Sequence, residues 1–376
     1  MLSIDFSGIH THREIFQQPE MWKETYNRIL DKKEEISSFL STYHNDEATI
    51  LFTGAGTSSF IGNILTFILP KYNIYNIKSV ATTDITTHSE AIFKKDKKYI
   101  LVSLARSGNS PESMAAIDLT DSICGEHIAH IFITCNEEGE LAKRAKNKNI
   151  LSLVLPPETN DKGLAMTSSF TSMLLASMLI FDIGNIESKK SDIDSLIEKA
   201  RGMLNDYKDK IQKIASYEFE RAVFLGSGEK KGIAEECHLK LQELTDGKII
   251  CLYDSFLGFR HGPKAVLNEK TLLVYLFSED EKVFQYERDL VIQINQQIKP
   301  AAQVYVAQKK RLVGNIEFDM EMVPKTQVET EYDILLYVFI GQMLGLFKSF
   351  KFNLNPDNPS VNGKIARVVE GVTIYQ

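Results

Sequence analysis

Three observations point this sequence to an α/β fold built on two parallel sheets. Apolar runs of strand length alternate with helical patterns through most of the chain. A strand runs straight into a Gly-x-Gly turn twice, at Gly54-Ala55-Gly56 and at Gly226-Ser227-Gly228. Each turn follows the first strand of its half, so the architecture is duplicated although the detailed sequence is not. Strands alternating with helices predict a parallel sheet covered on both faces. The chain has 376 residues, 43% of them hydrophobic and 25% charged, which is ordinary globular composition and long enough for two such domains.

Taken in order, the residues up to about 20 read as an irregular arm. Residues 21–43 carry Trp22, Tyr26, Ile29, Leu30, Ile36, Phe39 and Leu40 at helical spacing, which predicts one long amphipathic helix. Strands of the first half are expected at 48–52, 79–82, 99–103, 128–134 and 150–155. Pro111 suits the first turn of the helix after the third strand. Residues 163–183 are rich in hydroxyls and apolar groups, including Thr167, Ser168, Ser169, Thr171 and Ser172. They read as a buried helix at a subunit or domain interface. Residues 187–217 are charged and helical and connect the halves. The second half repeats the plan, with strands at 222–225, 248–253, 271–277 and 302–307 and helices at 229–244, 282–297 and 332–350. The domains expected are an N-terminal arm and helix (1–45), a first α/β domain (46–186), a helical connector (187–218), a second α/β domain (219–352) and an extended tail (353–376) that contributes to the active site.

Net charge is -7, which argues against a generic nucleic-acid surface. Positive potential for an anionic substrate must then come from helix N-termini and a few Arg or Lys. Cys124, Cys135, Cys237 and Cys251 form no CxxC pair and read as reduced core or surface thiols of a cytoplasmic protein. No basic-then-apolar leader opens the chain, and the apolar run at 173–183 is too short to span a bilayer. His10-Thr11-His12 lacks further ligands nearby and reads as a tail pair, so no metal is expected.

Four features carry chemistry. Glu236, Lys240 and Glu243 stand at i, i+4 and i+7, so one helix face presents carboxylate, ammonium and carboxylate in a row. On spacing alone this is equally a solvated, ion-paired face. Gly56, Thr57, Ser58 and Ser59 after the first strand, and Arg106, Ser107 and Ser110 after the third, fall at the C-terminal edge of a parallel sheet. That edge is where open α/β sheets bind ligands. Hydroxyls there can cap helices; two such loops on adjacent strands favour a phosphate site. Both Gly-x-Gly turns lack the third glycine and the acidic residue of a dinucleotide fold, so no cofactor is expected. His261, in Phe259-Arg260-His261-Gly262-Pro263-Lys264, follows the strand after the Glu236–Glu243 helix and is able to approach the same cleft. A histidine and a glutamate beside a phosphosugar suffice for ring opening and enolisation.

With these residues in view, the chain resembles the sugar isomerase (SIS) family in its double-domain form, from about residue 25 onward. It is similar to the isomerase half of glucosamine-6-phosphate synthase. The stretches Ala105–Ser113, Gly163–Phe170, Phe259–Lys264 and Asn355–Pro359 resemble most the tagatose-6-phosphate ketose/aldose isomerase group, whose members are linked to galactosamine-6-phosphate deamination. The resemblance implies two tandem SIS domains. It implies a phosphate cradle of Gly56, Thr57, Ser58, Arg106, Ser107 and Ser110, in which Ala105 replaces a serine and Arg106 a glutamine. Glu243 matches the glutamate that moves the proton between C1 and C2, with Lys240 and Glu236 as its neighbours. His261 matches the ring-opening histidine, which in the synthase reaches across from a partner subunit. That implies a homodimer or a dimer of dimers. Lys364 matches the lysine at the sugar's reactive end. The sequence shows no N-terminal nucleophilic cysteine to supply ammonia, so the expected reaction is the release of ammonia from an aminosugar 6-phosphate. The alternatives are an aldose–ketose isomerase without deamination and a non-catalytic phosphosugar sensor. The first ~45 residues are too short and too acidic for a helix-turn-helix of a DNA-linked sensor.

Overall fold

The computed structural model describes residues 6–144, 147–326, 328–369 and 371–375. Its first sheet has five strands: β1 (Thr49–Thr53), β2 (Ile77–Ser79), β3 (Tyr99–Ala105), β4 (Ile128–Thr134) and β5 (Ile150–Val154). They are parallel, in the order β2-β1-β3-β4-β5. The second sheet holds β6 (Arg221–Gly226), β7 (Ile250–Asp254), β8 (Thr271–Leu276), β9 (Ala302–Val306) and β10 (Met320–Met322) in the order β10-β9-β8-β6-β7. Read from its other edge, that order repeats the first strand for strand, and it too is parallel. β3, β4 and β8 are buried along their whole length. That is why they read as unbroken apolar runs, as strands covered on both faces do. β10 escaped the sequence reading: three residues are too short for a period.

Thirteen α-helices lie among the described residues. They are α1 (His10–Phe16), α2 (Gln18–Asp31), α3 (Lys33–Tyr43), α4 (Thr57–Ile68), α5 (Thr82–Ile92), α6 (Pro111–Cys124), α7 (Glu140–Lys143), α8 (Ser168–Phe181), α9 (Lys190–Ser216), α10 (Glu229–Leu244), α11 (Phe256–Phe259), α12 (Glu281–Gln297) and α13 (Val338–Lys351). Two expectations at the N-terminus fail. The single long helix is broken at Lys32 into α2 and α3, and the supposed irregular arm contains α1. Helix α1 was not legible because its start is capped from far away. The Asp357 carboxylate accepts from the amides of His10 (2.9 Å) and Thr11 (2.7 Å) and from the Thr11 hydroxyl (2.8 Å). The Asn355–Pro359 motif thus does structural work.

The chain divides into two compact units that are not simple halves. One, around the first sheet, comprises Glu20–Lys162, Met166–Ile193 and Ile365–Gln376; the other, around the second, comprises Met1–Pro19, Gly163–Ala165 and Asp194–Lys364. In the first unit every residue of α8 is buried against the unit's own elements, so α8 is core and offers no face to a second subunit. The Trp22 indole donates to Thr171 there at 2.9 Å. In the second unit, Glu331–Lys351 is a continuous helical stretch long and apolar enough, by length and composition, to span a membrane; 94% of that window is buried within the protein. All four cysteines are buried and unbonded, so none is a surface thiol.

Candidate active site

Both Gly-x-Gly turns are built the same way. A Cβ on Gly54 would fall 2.6 Å from the Ser58 Cβ, and one on Gly226 would strike the Lys230 carbonyl. Gly56 and Gly228, the residues just before α4 and α10, take positive φ of 54° and 58°. Only glycine makes this strand-to-helix turn at no steric cost. β1 lies between β2 and β3, so the chain leaves it in both directions and the crevice between β1 and β3 is a switch point; β6 and β8 form the matching one.

At the first switch point, within the unit of the first sheet, is a cavity of about 120 Å³. It is far smaller than the ~300–1,000 Å³ of pockets for drug-sized ligands and is on the scale of a small polar group. Ser58, Arg106, Ser107 and Ser110 line it, four of the six residues expected. Gly56 and Thr57 form the turn that sets Ser58 in place. The cavity lies at the starts of α4 and α6, where main-chain N–H groups favour an anion. Ser110 is the residue before α6, Pro111 its first residue, and the Ser110 and Ser113 hydroxyls are 2.6 Å apart. The Ser107 loop is held by the Asn136 amide, which donates to the Ser107 carbonyl at 2.9 Å. Arg106 is 7% exposed, and its guanidinium donates to the carbonyl of Arg367. Glu112, a carboxylate, also borders the cavity, as do Met166, Arg367, Val368 and Val369. Arg367 was missed in the sequence. It lies in a tail with no periodicity, and only its return to this loop reveals it.

At the second switch point, within the other unit, a cavity of about 140 Å³ is bordered by Lys230, Glu279, Gln308 and Tyr337, so the protein supplies the anion there itself. The Glu279 carboxylate, just past β8, accepts from Lys230 Nζ at 2.8 Å, from the Tyr337 hydroxyl at 2.7 Å and from the Gln308 amide at 3.0 Å. Burial alone would raise its pKa, but the Lys230 charge and these hydrogen bonds outweigh burial and hold it below the usual carboxylate range. Glu287 beside it is pushed up by burial, while the Ser278 amide donates to it at 2.8 Å.

Helix α10 leaves this second turn and carries the charged row. Lys240 is 1% exposed and Glu236 is fully buried, with Lys240 Nζ 3.4 Å from Glu236 Oε1. The same ammonium donates to Glu243, whose side chain is 15% exposed. The row is therefore not a solvated ion-paired face. A buried cation sits between two carboxylates, and only the outer one, Glu243, reaches solvent. Helix α10 is fixed from behind by α13. A Cβ on Gly341 would fall 2.5 Å from the Cys237 Cα, and one on Gly345 would fall 2.7 Å from the Lys240 carbonyl. His261 sits on an exposed turn after α11, its amide bonded to the Gly258 carbonyl at 2.9 Å, and Lys364 is exposed in the tail. Neither is brought into the buried charge row. No group of three or more His, Cys, Asp or Glu suited to a metal ion occurs among the described residues. His12 instead stacks between Phe6 (4.3 Å) and Phe16 (4.5 Å).

Comparison with known proteins agrees with this architecture. Residues 44–182 match the SIS domain family. The chain is 33% identical to the D-galactosamine-6-phosphate deaminase AgaS of Shewanella sp. (strain ANA-3), over 98% of this chain and 92% of that one. The solved tagatose-6-phosphate ketose/aldose isomerase of Escherichia coli superposes with a TM-score of 0.90 at 31% identity, covering 98% of both chains. A Clostridium novyi NT structure provisionally given the same isomerase name reaches 0.92 at 40% identity, covering 98% of this chain and 95% of that one. The two matched parallel sheets are those of tandem SIS domains, and the chain belongs to the AgaS group of the SIS family.

Proposed function

We propose that this protein is an aminosugar-6-phosphate deaminase/isomerase that converts galactosamine 6-phosphate, or glucosamine 6-phosphate, to the ketose 6-phosphate with release of ammonia. The observation that carries the reading is the buried Lys240 ammonium bonded to the partly exposed Glu243 carboxylate. Enolisation needs a carboxylate base held at the reacting carbon, and the bond to Lys240 fixes where Glu243 stands. The name borne by the Shewanella relative supports the substrate class and the loss of nitrogen.

In this reading the 6-phosphate takes the hydroxyls of Ser58, Ser107 and Ser110, the helix-start amides and Arg106. His261 moves the proton that opens the sugar ring, and Lys364 serves the reactive end. As Glu243 takes the C2 proton of the open-chain aldehyde, the substrate's own ammonium gives a proton to O1, leaving an enolamine, and Glu243 then returns its proton to C1. C1 becomes a hydroxymethyl group and C2 an iminium. Water adds to C2, ammonia departs, and the ketose phosphate remains. Lys240 holds Glu243 in place, and Glu236 balances Lys240. The functional domains are taken as 46–186 and 219–352, with the arm (1–45), connector (187–218) and tail (353–376) as supports, in a cytoplasmic homodimer or dimer of dimers. His261 serves the partner's site. The exposure of His261 supports that last point. Mixed dimers of Glu243→Gln and His261→Ala chains should then recover activity that neither variant has alone.

The isomerase name of the Escherichia coli structure favours a second reading, aldose–ketose interconversion without ammonia. A coupled ammonia assay with galactosamine 6-phosphate and glucosamine 6-phosphate separates the two. Ketose phosphate formed mole for mole with ammonia supports deamination. No ammonia, with turnover of tagatose 6-phosphate, supports the isomerase.

A further inference from the structure

Arg367 borders the anion cavity, yet its guanidinium points to the loop at 160–161. Its Nε donates to the Asp161 carbonyl at 2.7 Å, and a terminal nitrogen donates to Asn160 Oδ1 at 2.7 Å. Meanwhile the Arg367 carbonyl accepts from Arg106. Three hydrogen bonds thus converge on one tail residue. The anchor is firm. Asp161 is fully buried, and its carboxylate accepts from the amides of Thr167 (2.8 Å), Ser168 (3.1 Å) and Ser169 (2.9 Å) and from the Ser169 hydroxyl (2.6 Å). This gives a purpose to the hydroxyl-rich start of α8. The tail from 361 to 366, by contrast, is exposed and gains no hold from burial.

We propose that Arg367 is a positioning residue for the phosphate end of the substrate: its side chain fastens the tail to the Asn160–Asp161 loop, and its carbonyl, held there, orients the Arg106 guanidinium at the cavity. A guanidinium is a planar fork, so fixing one N–H fixes the directions of the others. Lysine cannot replace Arg367, because a single ammonium does not reproduce the fork that reaches both Asp161 and Asn160. The inference rests on the phosphate reading above.

The test is titration of the full-length chain with inorganic phosphate. Arg367→Ala should weaken binding about tenfold, on the scale of one charge-assisted hydrogen bond. Arg367→Lys should not restore it. In an Arg106→Ala background the same Arg367→Ala change should cost less than about twofold, because the two residues act as one unit. Asn160→Ala, which removes one of the two side-chain anchors, should weaken binding more mildly and again only when Arg106 is present; it serves if Arg367→Ala fails to fold. A tenfold loss that persists without Arg106, restoration by lysine, or wild-type affinity in both Arg367→Ala and Asn160→Ala overturns the proposal. Failure of the phosphate reading itself shows separately, as an unmodified chain that binds neither phosphate nor the phosphosugar.

Discussion

The two strand-end crevices are copies in backbone and opposites in chemistry. Both follow a Gly-x-Gly turn with a positive φ just before the helix, and both open beside the same pair of strands in the same order. The first is lined by serine hydroxyls and Arg106. The second holds Glu279, a carboxylate already bonded to Lys230, Tyr337 and a main-chain amide. That set of donors is what an anion site needs, and the protein's own anion fills it. The duplicated fold has thus been divided. One crevice offers hydroxyls and a guanidinium to a ligand, and in the other the protein's own carboxylate takes the donors at the start of α10, the helix that carries Glu243.

The division is tested first at the two ends of α10. Glu243→Gln keeps the shape and removes the base, so kcat should fall by about 10²–10⁴-fold. Thermal stability should hold, and solvent deuterium exchange at C2 should fall with kcat. Near-normal exchange would move the base elsewhere, with Glu236 next in line. At the other end, Glu279→Ala takes the nearer of two carboxylates from the buried Lys230, leaving only Glu229 at 3.8 Å, and should destabilise the fold. Urea unfolding should reveal it, while KM of the protein that remains folded stays unchanged; a raised KM would mean the second crevice meets substrate.

The next comparison sets one loop hydroxyl of each crevice against the other. Ser107→Ala should raise KM by a factor corresponding to about 1–3 kcal/mol with little change in kcat. Ser227→Ala, at the second crevice, should leave KM alone. Equal effects from the two serines would erase the asymmetry.

Acid gives the smallest effect. Burial lowers the His12 and His238 pKa values to about 4, and both residues belong to the unit of the second sheet. Unfolded histidines titrate near 6.5, so between about 6.5 and 4 the unfolded chain binds more protons than the folded one. The stability they supply is whole above pH 6.5 and is lost as pH falls toward 4. Segment-resolved hydrogen exchange at pH 7 and pH 5 should show protection falling around α1 and α10, and around the end of α3, where burial also lowers the His44 pKa; protection unchanged at all three would assign acid sensitivity elsewhere.

What could be read in advance follows from range. The long strands, the paired Gly-x-Gly turns and the i, i+4, i+7 charge row are local patterns and appear where expected; the short strands do not, since β2 ends at Ser79 where a strand over 79–82 was expected, and β10 was missed. The row's meaning was not local: equal spacing serves a solvated face or a buried one, and only the packing of α13 on α10 decides. The Glu279 cluster joins residues 230, 279, 308 and 337, which no window brings together. Arg367 and the Asp357 cap of α1 were hidden for the same reason, each being a contact across most of the chain. The break at Lys32 fell inside a continuous amphipathic pattern, where periodicity is blind to a local change of direction.

The glycine pair at 341 and 345 has a consequence for genetics. Side chains there would collide with the main chain of the very turns that carry Cys237 and Lys240, so even alanine must push α10 away from α13. A displacement of about an ångström is enough to spoil a catalytic group's aim. A random screen for lost activity should therefore return Gly341 and Gly345 alleles beside those of Glu243, although neither glycine has a side chain to offer a substrate. Small replacements at Leu244, whose side chain a Cβ on Gly345 would strike, should partly suppress the Gly345 allele and not the Gly341 allele, whose added Cβ meets Cys237.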